Sequence, residues 1–177
     1  SMNSEVLDLG EINAFERSFK EWKEKKGKVA LVDLYMQRIN KELKSHITTN
    51  KWLYNYQYAG IIASQIPNSK IIHCYRNPLD NILSIYRTNF AKDNEYSSSL
   101  IDCAIIYLDH KQIMKEYKKR FPENIYDLNY DLLVKNPDKE IKSLINWLGW
   151  KWNNAYLNPH LNKRSVFTAS DVQIRSK

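Results

Sequence analysis

The stretch that decides the fold is Asn68 to Phe90, NSKIIHCYRNPLDNILSIYRTNF. Pro67-Asn68-Ser69 is a turn signal. Lys70 to Tyr75 is apolar without alternation, which predicts a strand buried on both faces of a parallel sheet. The run stops at Arg76. Pro78 and Asp80 then mark a helix start, and Leu79 to about Phe90 is the predicted helix. Ser84 follows Arg76 by eight residues, within the first turns of that helix. A strand running straight into a helix N-terminus makes an anion site, because free N–H groups and the helix dipole meet in the connecting turn. Arg76 adds a forked cation that grips phosphate through two parallel hydrogen bonds. Ser84 adds a hydroxyl donor. Together they would hold one terminal phosphate. The plain alternative is that Arg76 pairs with Asp80 and Ser84 merely packs.

Outward from this core, strands and helices alternate. Ile12, Phe15, Phe19 and Trp22 recur at helical spacing, predicting a helix from Glu11 to about Lys25 that Gly27 ends. Val29 to Leu43 reads as a second helix and Ser45 to Thr49 as a short strand. Leu53 to Gln65 is a tyrosine-rich helix, and its aromatics are better read as core and pocket wall than as a nucleic-acid stacking platform. Residues 91–99 are polar loop. A long helix runs to about Arg120, and Asn124 to Leu128 is a second short strand. In NPDKEIKSLINWLGW, Asn136 caps, Pro137 takes the first helical position and Gly149 ends the helix. This alternation predicts an α/β layered domain with a mostly parallel sheet.

The chain has 177 residues, one domain by length, with 43% hydrophobic residues and a net charge of +7. The charge fits an anionic partner; a nucleic-acid binder would rest on charge alone. Two cysteines, one inside the apolar strand, give no disulfide framework and fit a reducing, cytoplasmic setting. No apolar run reaches membrane-span length, and the acidic, polar N-terminus shows no signal peptide. Ser1-Met2 reads as a cloning remnant ahead of a start methionine. Abundant Lys, Asn and Ile hint at an AT-rich genome. His46, His73, His110 and His160 match no metal-ligand spacing; His73 reads as structural. The four glycines, Gly10, Gly27, Gly60 and Gly149, stand too far apart for a glycine-rich phosphate loop.

The Arg76, Asp80 and Ser84 pattern resembles the 3′-phosphate-binding segment of sulfotransferases that use 3′-phosphoadenosine 5′-phosphosulfate (PAPS). TNKWL ahead of a helix, then IPNSKIIHCYRNPLDNILS, is similar to protein-tyrosine sulfotransferases and to bacterial sulfotransferases fused to tetratricopeptide repeats. NYDLLVKNPDKEIKSLINWLGW looks like the family's tyrosine–aspartate–leucine segment with its capped helix, and NKRSVFTASDVQIRSK like its C-terminal cofactor-covering segment, here within 151–177. The resemblance runs from about Leu7 to the end. It implies a three-layer fold of the P-loop nucleotide-kinase type and transfer of a sulfuryl group from PAPS to a hydroxyl or amine, leaving 3′,5′-adenosine bisphosphate.

Residue roles follow from the same resemblance. Lys51 matches the lysine at the transferring sulfuryl group, where a cation offsets developing charge; otherwise it is a solvated surface lysine. Glu11, in Gly10-Glu11, matches the base that takes the acceptor's proton; otherwise it is an acid favoured by a helix N-terminus. Ser170 matches a serine near the sulfuryl group, and Lys163 and Arg164 a basic pair closing over the nucleotide; otherwise all three belong to a loose basic tail. No metal is implied, since the donor is already activated. The acceptor would be a protein tyrosine or a carbohydrate, with no nucleic acid or membrane partner. The family's N-terminal strand and Arg-Ser-Gly-Thr-Thr-type loop, which wrap the 5′-phosphosulfate, would precede Leu7 and have no counterpart in this sequence. The fold is therefore expected to be incomplete at its N-terminus. The uncovered sheet edge would favour pairing with another copy. A non-catalytic 3′-phosphonucleotide-binding module is the rival reading.

Overall fold

The computed structural model describes residues 3, 5–39, 47–88 and 94–158. The chain forms two compact units, Ser1–Ile71 and Ile72–Lys177.

In the first unit, β1 (Val6–Asp8) pairs in parallel with β2 (Ile47–Thr49), in the register Val6–Ile47, Leu7–Thr48, Asp8–Thr49. Between them come α1 (Ala14–Glu24) and α2 (Leu31–Ile39). Helical spacing turns Ala14, Phe15 and Ser18 of α1 inward, with Leu31, Leu34 and Ile39 of α2. The Phe15 ring sits 5.7 Å from those of Tyr35 and Tyr58, and Phe19 lies 5.3 Å from Tyr58. Buried Ser18 satisfies its hydroxyl by donating to the Ala14 carbonyl at 2.9 Å. Gly27 takes the left-handed conformation that ends the α1 region, at φ 71°. The tyrosine-rich segment predicted as one helix is split: Leu53–Tyr58 is a 3₁₀ helix, and α3 (Ala59–Gln65) follows. The 3₁₀ helix packs its side chains in threes, and Tyr58 thereby reaches the Phe15–Phe19 face of α1.

In the second unit, β3 (Ile71–Tyr75, counted to this unit from Ile72 on) leads into α4 (Pro78–Arg87), and α5 (Leu100–Arg120) leads into β4 (Ile125–Asn129). α6 (Tyr130–Lys135) and α7 (Pro137–Leu148) follow. β3 and β4 are neighbours in a second two-stranded sheet. His73 meets Asp127, and Asn77 meets Asp131, both across 54 residues. A constant difference, rather than a constant sum, is the mark of strands running the same way. The core holds Cys103 and Met114 of α5, Ile125 and Leu128 of β4, and Ile145 of α7. Gly149, at φ 73°, ends α7 as expected.

The α/β class and the strand–helix order match the expectation. The burial of β3 does not. No β3 residue is buried, and Ile72 is 41% exposed. Among the described residues the strands form two separate pairs rather than one sheet, and a strand with one neighbour leaves alternate side chains uncovered. β1 and α6 have no counterpart in the sequence-based expectation.

Candidate functional site

β1 and β2 end side by side, and their ladder continues one step beyond the strands. The Leu9 amide donates to the Thr49 carbonyl at 2.8 Å, and the Lys51 amide to the Gly10 carbonyl at 3.1 Å. Gly10 turns at φ 78°, a conformation that suits glycine, while its amide donates to Asp8 Oδ1 at 2.8 Å. The turn delivers Glu11 to Lys51, and Lys51 Nζ lies 2.6 Å from Glu11 Oε1. Both side chains reach solvent, at 68% for Lys51 and 38% for Glu11. Two of the sequence-predicted residues are thus neighbours at the C-terminal ends of parallel strands, where α/β folds place ligands.

A cavity of about 660 Å³ opens beside Glu11. Asn13, Arg17 and Glu21 line it from one face of α1, Gln37 and Arg38 from α2, and Trp52 from beyond β2. Asn13 leaves the start of α1 without a side-chain cap. Arg38 is tied to Glu21, yet its Nε is buried and, among the described residues, unpartnered, as is Trp52 Nε1. The wall therefore offers hydrogen-bond donors beside a carboxylate.

Arg76 and Ser84 belong to the second unit. The turn after β3 differs from the expected open anion cradle. Asn77 accepts from the Leu79 and Asp80 amides at 2.9 and 3.3 Å, Pro78 has no amide hydrogen, and the Asn77 amide donates to Asp131 at 2.7 Å. The backbone donors of that turn are already engaged. Arg76 also departs from the plain alternative, because its guanidinium donates to the backbone carbonyl of Asp80 rather than to the carboxylate. In an α-helix that carbonyl is the partner of the amide four residues on, which belongs to Ser84. Arg76 thus reaches the helical turn that carries Ser84. Arg76 Nε is buried without a partner among the described residues, and Ser84 is exposed. Any anion here would be held by these side chains, not by the helix N-terminus.

Ser170, Lys163 and Arg164 lie outside the described residues. The described residues contain no group of three or more side chains able to hold a metal ion, and no helix long and apolar enough to cross a membrane. Cys74 and Cys103 are both unpaired.

Sequence reasoning missed a polar network on the sheet of the second unit. Asp127 accepts from His73 Nδ1 at 2.7 Å and from Lys118 at 2.6 Å. Burial alone would raise the Asp127 carboxyl, but the hydrogen bonds from Lys118 and His73 outweigh it and hold the group below its ordinary value. His110, whose ring centre is 5.0 Å from that of His73, is pushed down to about 4 by burial and by the charges of His73 and Lys118. The only signal in the sequence is an ionisable residue in each of two apolar strands. Their meeting depends on register, which spacing does not reveal.

A sequence model of the sulfotransferase family matches residues 8–154, most of the chain. The chain belongs to the sulfotransferase family. It is 34% identical over 145 residues to an uncharacterized protein of Aquifex aeolicus, covering 80% of this chain and 19% of that protein. The chain thus spans about a fifth of that relative's length. The fold is similar to that of the sulfotransferase domain from the curacin biosynthetic pathway, with a TM-score of 0.51 and 17% identity over 91% of this chain and 62% of the other. At that identity the likeness speaks for the fold alone. The helix, turn and strand segments that carry Glu11, Lys51, Arg76 and Ser84 all lie within the matched family region.

Proposed function

We propose that this chain is a domain of a PAPS-dependent sulfotransferase, with the three-layer arrangement of the nucleotide-kinase type. The observation that carries the reading is the Glu11–Lys51 pair at the ends of β1 and β2. In the proposed reaction the acceptor hydroxyl or amine attacks sulfur. A new bond to sulfur forms as the bond to the 5′-phosphate oxygen breaks, and 3′,5′-adenosine bisphosphate leaves. Lys51 offsets charge building on the bridging oxygen. Glu11 takes the acceptor's proton, and the cavity beside it seats the acceptor. Arg76 and Ser84 hold the 3′-phosphate of the nucleotide: the unpartnered Arg76 Nε and the exposed hydroxyl fit that group. In this reading Lys163 and Arg164 add positive charge for the nucleotide, and Ser170 serves the sulfuryl group. The same proposal takes a cytoplasmic setting, with PAPS as a soluble cosubstrate and a protein tyrosine or a carbohydrate as acceptor.

The 5′-phosphosulfate finds a poorer fit, because the four scattered glycines build no loop to wrap it. A second reading is a binding module that holds a 3′-phosphonucleotide without turning it over. One measurement tests the shared element. Calorimetry should show 3′,5′-adenosine bisphosphate binding well ahead of adenosine 5′-monophosphate. Arg76→Ala should remove tens- to hundred-fold in affinity, the loss of a charged bidentate partner worth about 2–3 kcal/mol. Equal binding of the two nucleotides, or no effect of Arg76→Ala, would overturn the assignment.

A further inference from the structure

The second unit holds a cavity of about 270 Å³ against the sheet, and neither Arg76 nor Ser84 lines it. Its floor is His73, whose side chain is only 10% exposed. Asp127 at 2.7 Å fixes the hydrogen of the neutral ring on Nδ1, so Nε2 is left as an acceptor. That Nε2 is buried and has no hydrogen-bond partner among the described residues. A buried acceptor left without a donor is costly, and native structures supply one from protein, water or ligand. The wall adds Lys111 of α5, which forms no ion pair among the described residues, with Tyr107 and Asn81. Lys118 does not add to the free charge, because Asp127 takes its ammonium at 2.6 Å. Nor does His110 at neutral pH, since it is held near 4. The cavity therefore combines one uncompensated cation with one acceptor that needs a donor.

We propose that this cavity binds a compact oxyanion that still carries an O–H at neutral pH, namely hydrogen phosphate. The negative oxygens face Lys111, and the O–H donates to His73 Nε2. Sulfate has the same shape and charge but no proton to give at neutral pH, so the site discriminates between the two.

The test is a titration of the 177-residue chain at pH 7.5 in a buffer free of both anions, following the imidazole nitrogen resonances of His73 and His110. Inorganic phosphate should shift them saturably, and sulfate should bind about tenfold or more weakly. Lys111→Met, at an exposed helical position, should weaken phosphate about tenfold or more while leaving the fold intact by circular dichroism. His73→Gln should remove the preference over sulfate. Arg76→Ala separates this cavity from the proposed nucleotide site and should leave phosphate binding in place. No saturable shift at millimolar phosphate overturns the proposal. So does equal affinity for sulfate, or binding lost in Arg76→Ala but kept in Lys111→Met.

Discussion

Lys51 Nζ sits 2.6 Å from Glu11 Oε1, across 40 residues of sequence, because β1 and β2 run parallel and end together. The contact is an exposed ion pair, and such pairs contribute little to folding, about 0–1 kcal/mol. The cavity wall beside it also leaves buried donors unsatisfied. The proposed function gives this pair a role in the reaction rather than in stability.

The first prediction follows from that imbalance. Lys51→Met and Glu11→Gln should each change the unfolding free energy by about 0.5 kcal/mol or less. Phe15→Ala, a few residues away in the core, should cost about 3–5 kcal/mol. Urea unfolding of the three variants makes the comparison. If Lys51→Met proved as costly as the core truncation, the pair would be a structural element and its proposed role would lose its support.

Asn77 supports a second prediction. Its side chain serves two amides at the start of α4. Asn77→Ala should destabilise the second unit by about 1 kcal/mol, the usual cost of removing a helix cap. Asn77→Gly should cost less, because glycine keeps the turn accessible. Denaturant midpoints for the two variants check the order. Two equal, negligible effects would mean that the Leu79 and Asp80 amides find other partners.

Helical periodicity and punctuation made most of the elements legible. Phe15, Ile145, Pro137 and Gly149 stand where the pattern puts them. The Arg76–Ser84 turn was legible in outline, since strand, proline and serine follow in order. Its inner bonding was not. Asn77 reads as an ordinary turn residue, yet its side chain and Asp131 occupy the very donors that an anion would use. β1, three residues long, is too short to show a period. The exposure of β3 was hidden for another reason. An apolar run states what a strand can bury, while its neighbours decide what is buried. The His73–Asp127 contact lies beyond any spacing rule, because it needs the pairing register of strands 54 residues apart.

The network around His110 gives stability a pH dependence. His110 falls from an ordinary 6.5 to about 4 in the folded chain, through burial first and then the charges of His73 and Lys118. The unfolded chain therefore binds more protons between these values, and stability rises with pH across that window. The contribution is complete above about pH 6.5 and is lost as pH falls toward 4. The shift corresponds to at most about 3 kcal/mol, and solvent screening of a ring that is not fully buried reduces this to roughly 1–2. Asp127 adds a further loss below pH 4, since its carboxyl is held below the ordinary range by Lys118 and His73 against the opposing effect of burial. Urea unfolding at pH 7 and pH 5 should show the wild type losing more than His110→Gln, the other histidines cancelling in the comparison. Parallel losses in the two proteins would mean that His110 titrates normally.

The last prediction separates binding from turnover. The 177-residue chain supplied with PAPS and a hydroxyl acceptor should bind nucleotide and transfer essentially no sulfuryl group. In the proposed reading Arg76 and Ser84 hold the donor's 3′-phosphate, while Lys51 and Glu11 act at the reacting centre without gripping the 5′ end. Nothing among its four separated glycines can wrap the 5′-phosphosulfate. In-line attack needs the reacting atoms held about 3–3.5 Å apart in the correct orientation, and a misplacement of 1 Å can cost a hundred-fold. A donor gripped at its 3′ end alone would sample many orientations of its sulfuryl group. Two readouts on the same sample decide the matter: calorimetric binding of 3′,5′-adenosine bisphosphate, and radiolabelled sulfuryl transfer. Binding with no transfer is the expected result. Robust transfer by this chain would mean that other residues hold the 5′-phosphosulfate, and the binding-module reading would fall with it.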